Sequence, residues 1–365
     1  MRKLIRTAVA AAIAAWLGAA PAAAQQTLNV YNWNDYIDDK TIERFEAETG
    51  IKVRYDVYDS NEVLDAKLRA GRSGYDLVVP TASPFLAQQI PGKLYQPLQR
   101  DKLTNYGNLD PELMAQLAKY DPGNRHAIPW MWGTTGIGYN AERVLRTMSN
   151  APVYSLAILF DPAIVSKFKS CGVVILDSPT DVVPAALAYL GRNPDSHSDE
   201  DLEAAAKVLQ AIRPYVRRWH SSEYINDLAN GDACLTFGYS GDIKQAASRA
   251  KEAGKPFTVE YAIPQEGALV WIDAWAIPAD ARNVDAAHRF LDFVLRPEIA
   301  ALNSNFIGYA NAVPGSRDQL EAAVRQDPTI YPPEEFRKRF YTISAPDRAY
   351  ERRRTRAWTR ITTGR

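Results

Sequence analysis

Beyond residue 26 the chain alternates short runs of β-forming residues with stretches of helical spacing, and this restricts it to an α/β architecture in which helices cover the strands. Thr27 to Tyr31 reads as a strand, Asp39 to Glu48 as a helix closed by Gly50, and Ile51 to Tyr58 as a second strand. Asn61 stands where it can cap the next helix, whose Val63, Leu64, Lys67 and Leu68 keep helical spacing until Gly71. Leu77-Val78-Val79 is the continuous apolar run expected of a strand covered on both faces. The same grammar resumes with a strand over Gly172 to Leu176 and a helix over Val182 to Leu190. Ser198 then caps a helix whose Leu202, Ala205, Ala206, Leu209 and Ile212 form one stripe. Ala233 to Phe237 gives another strand, a helix runs from there to Gly254, and Val284, Ala287, Leu291, Val294 and Leu295 mark an amphipathic helix stopped by Pro297. At 365 residues, with no low-complexity linker, the chain is sized for two domains joined compactly.

Met1 to Ala24 is built differently: a basic start at Arg2, Lys3 and Arg6, an apolar stretch from Ala8 to Ala20, and Ala22-Ala23-Ala24 ahead of Gln25. This is the pattern of a cleaved secretory signal peptide. As a membrane anchor its apolar core is too short and too rich in Ala. Export favours a bridge between Cys171 and Cys234 over two buried thiols, and the loop closed is worth on the order of 4 kcal/mol in the chain-entropy model. His126, His197, His220 and His288 form no local signature with either cysteine, and H-E-x-x-H, C-x-x-C and EF-hand patterns are absent. Thiol catalysis, a metal site and a cofactor are therefore not expected.

Basic and acidic residues both number 43 in the whole chain. Arg348 to Arg365 holds seven arginines against Glu351 alone, so residues 25 to 347 carry 33 basic and 42 acidic residues, a net charge of −9. Such a body repels nucleic acid and suits cationic ligands.

Polar and aromatic residues fall at recurring places. Trp33-Asn34-Asp35-Tyr36 follows the first strand, Thr81-Ala82-Ser83 the third, Thr180-Asp181 the strand near Cys171, and Tyr239-Ser240-Gly241-Asp242 the strand after Cys234. Trp271-Ile272-Asp273-Ala274-Trp275 follows a further apolar run. In open α/β sheets ligands bind just past the strand ends. Three of these groups set an aromatic ring close to an Asp, and ring faces and carboxylates together suit an organic polycation. Each residue also has an ordinary structural use, because Trp and Tyr serve in cores with a polar tip and Asp serves as a helix cap. Paired carboxylates among aromatics would also describe a glycoside hydrolase. Gly238-Tyr239-Ser240-Gly241 misses the G-x-S-x-G nucleophile elbow by one residue, and the glycines from Gly133 to Gly138 miss the dinucleotide-binding order. The latter stretch reads as a flexible crossing between lobes.

Several stretches resemble the periplasmic polyamine-binding proteins of ABC importers, and the putrescine-binding type most of all. They are Tyr31-Asn32-Trp33-Asn34-Asp35-Tyr36-Ile37, residues 50–57, residues 58–64, residues 75–80, residues 134–140, His220-Ser221-Ser222, residues 224–232 and residues 354–359. The likeness spans essentially the whole mature chain. It implies a two-lobed Venus-flytrap fold of the periplasmic-binding-protein kind, with each lobe a mixed sheet flanked by helices and two hinge crossings. Residues 25–133 with about 264–310 would form one lobe, and 134–263 with about 311–365 the other. It further implies a non-enzymatic monomer in the periplasm that hands a polyamine to a membrane ABC permease. Position by position, the implied pocket has the aromatics Trp33, Tyr36, Tyr239, Trp271 and Tyr309, the carboxylates Asp35, Asp181, Asp242 and Asp273, and polar contacts from Asn34, Thr81 and Ser83. The sequence departs from the putrescine type at Asn34 for Ser, Asp181 for Glu, Tyr239 for Trp, Trp271 for Phe, and Leu156 for Trp. Asp181 is one methylene shorter than Glu, so its ammonium contact calls for a water or a longer ligand. Putrescine is the first expectation, with spermidine, cadaverine and agmatine open. An exported carbohydrate-binding protein or glycoside hydrolase is the alternative.

Overall fold

The computed structural model describes residues 25–364, and the expected signal peptide lies outside them. Among the described residues eleven strands are hydrogen-bonded in sequence-distant order. β1 (Thr27–Trp33) lies between β2 (Lys52–Tyr58) and β3 (Leu77–Val78), parallel to both. β9 (Ala268–Ala276) runs antiparallel to β3 and to the first part of β4 (Ala127–Asn140). β4 then passes to β7 (Leu235–Tyr239), with β5 (Val173–Ile175) and β6 (Arg218–Trp219) beyond it, while β8 (Val259–Ala262) pairs on its other edge. β10 (Ala310–Asn311) joins β4, and β11 (Phe340–Tyr341) joins β9.

The local reasons match the sequence signals. α1 (Asp39–Thr49) starts at Asp38, whose carboxylate accepts from Lys40 N, and stops at Gly50 in the left-handed region, φ 71°. The cap of α2 (Asn61–Arg69) is Ser60 rather than Asn61, and the Asn61 side chain is thereby free to hold Thr81. Pro297, expected only to stop α3 (Val284–Val294), also opens α4 (Pro297–Ile307), since a first-turn proline forfeits no helical hydrogen bond.

Two main hydrophobic cores result. One gathers β1, β9, α3 and α4 around Trp275, Phe45 and Phe290. The other gathers β5, β7 and the helices α5 (Pro179–Tyr189) and α6 (Asp199–Ile212) around Phe160, Phe168 and Phe237. The disulfide Cys171–Cys234 ties the start of β5 to the start of β7, with its Cα atoms 5.5 Å apart.

Three expectations need correction. Residues 133–138 are not a flexible crossing but the middle of β4, where the strand changes partner from β9 to β7. Its glycines permit close packing, and a Cβ on Gly136 would lie 2.7 Å from the Ala262 carbonyl. The chain passes between the cores again between Ile343, which belongs to the first, and Tyr350, which belongs to the second, a passage beyond the two hinge crossings expected. Residues 314–331, expected with the second lobe, pack instead on the first: Leu320, Val324 and Ile330 cluster with Ala301 of α4 and with Trp132.

Candidate functional site

Asp181, Asp242 and Asp273 reach one cavity from three different elements. Asp181 lies in the first turn of α5, and Asp242 in the first turn of α7 (Ser240–Glu252), directly after β7. Asp273 sits in the middle of β9, so Trp271 to Trp275 are inside a strand and not past its end as the apolar pattern suggested. The period of two along β9 puts Leu269, Trp271 and Asp273 on one face, and all three line the cavity.

All three carboxylates are buried, and every side-chain partner they have is a neutral hydroxyl. Asp273 accepts from Thr81 Oγ1 at 2.6 Å and from Tyr36 Oη at 2.9 Å. Asp242 accepts from Tyr224 Oη at 2.6 Å and Tyr309 Oη at 2.7 Å. Asp181 accepts from Ser178 Oγ at 2.6 Å, Thr135 Oγ1 at 3.0 Å and Tyr239 Oη at 3.2 Å. Among the described residues no Lys or Arg forms an ion pair with any of them. Burial lifts the Asp273 carboxyl to about 7; the Thr81 and Tyr36 hydroxyls pull it down, and the charges of Asp181 and Asp242 push it further up. Burial likewise lifts Asp242 to about 6 against the pull of Tyr224 and Tyr309, and raises Asp181 against its three hydroxyl donors.

Aromatic rings wall the same cavity. Edge-to-face contacts run from Trp33 to Tyr239 (6.4 Å between centroids), Tyr239 to Trp271 (5.8 Å), Trp271 to Tyr309 (5.3 Å) and Tyr309 to Tyr36 (5.3 Å). Trp33 is fixed by its Nε1 donating to the Val79 carbonyl at 2.9 Å. Gly241 is what lets Tyr309 reach Asp242, because a Cβ there would run into the Tyr309 ring.

The sequence profile of bacterial extracellular solute-binding proteins matches residues 40–332. The chain belongs to this family. It is 50% identical over the full length of both chains to the putrescine-binding periplasmic protein SpuD of Pseudomonas aeruginosa. It is 47% identical to the putrescine-binding periplasmic protein PotF of Escherichia coli, over all of this chain and 98% of that one. A solved structure described as a putative spermidine/putrescine ABC transporter from Listeria monocytogenes superposes with a TM-score of 0.83 at 30% identity, covering 93% of this chain and all of that one. The family is one of transport proteins, which sets the hydrolase alternative aside.

Within this solute-binding protein, eleven of the twelve residues picked from sequence line the cavity: Trp33, Asn34, Tyr36, Thr81, Ser83, Asp181, Tyr239, Asp242, Trp271, Asp273 and Tyr309. Asp35 does not. At φ 53° it turns away, pairs with Arg249 Nη2 at 3.0 Å, and accepts from Asn34 Nδ2 at 2.8 Å. Ser83 does line the cavity, but its hydroxyl is engaged by the Ile343 carbonyl. The hydroxyl donors Tyr224, Thr135 and Ser178 went unnoticed in the sequence. Each acts on a carboxylate brought to it by the fold, and only Ser178, three residues before Asp181, was near enough in sequence to be found.

Proposed function

We propose that this solute-binding protein captures a linear diamine, putrescine first among them, between its two lobes in the periplasm and delivers it to a membrane ABC permease. The observation that carries the reading is the set of three buried carboxylates whose partners are all hydroxyls. A buried carboxylate is costly unless a cation meets it, and the protein supplies none there. A diammonium ligand supplies two positive ends joined by methylenes, which suit the aromatic wall between them. The names of the relatives at 50% and 47% identity support the same ligand. Trp33, Tyr36 and Asp273 belong to the lobe built on β1 and β9, and Asp181, Tyr239 and Asp242 to the other, so the ligand bridges the two. A sugar would need amide partners, of which the lining offers only Asn34 and Asn61. Calorimetric titration with diamines, longer polyamines, a monoamine and sugars tests this reading. Putrescine should bind with a 1:1 ratio and sugars not at all, whereas binding of a sugar and not of any amine would overturn it.

A further inference from the structure

The C-terminal helix α8 (Arg348–Thr363) carries charge that ligand capture does not use. Tyr350, Arg354, Ala357, Trp358 and Ile361 face inward and are buried. The flanking arginines are matched by acidic residues: Arg353 pairs with Asp199 at 2.6 Å, Arg354 with Glu351 at 2.7 Å, and Arg360 with Glu203 at 3.7 Å. The outer face is different. Helical spacing sets Arg348, Arg352 and Arg356 in one row and Thr355, Thr359 and Thr363 beside it, with no carboxylate between. The three arginines are exposed and form no ion pair or side-chain hydrogen bond among the described residues. The row extends about 12 Å along the helix axis.

From this row we infer a docking surface for anionic phospholipid headgroups, by which the protein lies against a bilayer with α8 toward the lipid. Three features favour lipid over an acidic protein groove. The row is convex and straight, so all three guanidinium groups can meet a flat phosphate layer at once. Arginine binds phosphate through paired N–H donors without needing a shaped pocket. The rest of the mature chain up to residue 347 carries −9 overall, so an anionic surface repels the body on average and favours an approach with α8 first. At about 0.15 M salt the Debye length is about 8 Å, which leaves the near arginines effective and screens the distant body. Binding of this kind is weak and reversible, as suits a carrier that must leave the membrane again.

The test is co-sedimentation of the exported protein with vesicles of phosphatidylcholine alone or mixed with phosphatidylglycerol, at low and high salt. Each arginine near an anionic surface contributes roughly a fivefold gain in partitioning. The triple variant R348Q/R352Q/R356Q should therefore lose on the order of 100-fold on the mixed vesicles. Its putrescine affinity and melting temperature should stay unchanged, because none of the three residues touches the cavity. A control of equal charge change, K119Q/K167Q/K251Q, removes scattered exposed lysines and should retain most of the binding. Equal pelleting of the unaltered protein with both vesicle types overturns the inference and leaves the row to an acidic protein or to solvent. So does a lysine control that loses as much as the arginine variant.

Discussion

Tyr224 donates its phenol to Asp242 at 2.6 Å from behind the cavity wall, without lining the cavity itself. Its oxygen also accepts from the Tyr239 backbone N–H at 3.1 Å, so one buried side chain holds both the carboxylate and the aromatic residue beside it. Tyr224→Phe should fold, keep the ring packing against Gly238 and lose both bonds. A lost hydrogen bond to a charged group is worth about 1.5–3 kcal/mol, so putrescine affinity should fall roughly 10- to 100-fold. The hydroxyl pulls the Asp242 carboxyl downward, so its loss should also make binding more sensitive to acid. Calorimetry at two pH values checks this, and an unchanged affinity with an unchanged pH profile would relieve Tyr224 of the role.

Asp242→Asn and Asp273→Asn should each weaken putrescine binding by about 2–5 kcal/mol, or roughly 30-fold to several thousand-fold. The same variants should stabilise the ligand-free protein. Both carboxyls hold protons more tightly when folded, near 6 and 7, than in the unfolded chain, near 3.9. Their favourable contribution is therefore complete only below about pH 4 and is lost as pH rises through 6 and 7. At pH 8 both are ionised and buried without a cation, and neutral amides remove that strain. Thermal melts at pH 8 without ligand should show higher midpoints for both variants, while a lower midpoint would contradict the electrostatic account.

Ligand binding should depend on pH in the opposite sense. Diamine nitrogens stay charged well above neutrality, since alkyl ammonium groups lose protons only near 10. Protons compete for Asp273 below about pH 7 and for Asp242 below about pH 6. The dissociation constant should rise by up to tenfold per pH unit below the first value and more steeply below the second. Titrations from pH 8 to pH 5 measure this slope, and a flat profile over that range would mean that neither carboxylate meets the ligand as an anion.

The Cys171–Cys234 bridge joins the starts of two adjacent parallel strands, β5 and β7, in the second core. Unreduced protein should show no alkylatable thiol by mass spectrometry. Cys171→Ser with Cys234→Ser should cost up to about 4 kcal/mol of stability by the chain-entropy estimate. Putrescine affinity should change little at temperatures where the variant remains folded, because neither cysteine lines the cavity.

Residues whose role depends on their own neighbours in sequence were legible. Gly50 and Ser198 announce helix ends by local chemistry, and the pairing of Trp33 with Tyr36, or of Tyr239 with Asp242, is visible within four residues. Asp35 stands outside the cavity lining, and nothing local distinguishes a carboxylate that lines it from one that meets an arginine 214 positions away. Tyr224 and Thr135 were missed for the same reason: their hydroxyls matter only after β4, β7 and α7 have been brought together. The stretch 133–138 misled through its glycines, which suggest freedom in isolation and prove to be places where Trp271, Tyr261 and Ile243 press against a strand.

Arg249 of α7 meets Asp35 at 3.0 Å, and Gln245 one turn earlier donates to the Asp35 carbonyl at 3.2 Å. Across the same cleft Thr180 donates to Glu62 at 3.3 Å. Under the two-lobe proposal these contacts exist only when the cleft is closed, so they bias the open–closed equilibrium without touching ligand. The Asp35–Arg249 pair is about one-third exposed on both sides, which limits its worth to about 0.5–1 kcal/mol. Arg249→Ala should therefore weaken putrescine binding by roughly two- to fivefold, through faster release. A monoamine of similar length keeps the aromatic contacts and reaches the carboxylates of one lobe only, so it should bind more weakly and close the cleft less. Small-angle scattering should show a smaller radius of gyration with saturating putrescine than without, and an intermediate value with the monoamine. An unchanged radius with putrescine, together with comparable monoamine affinity, would mean that the diamine does not clamp the lobes together.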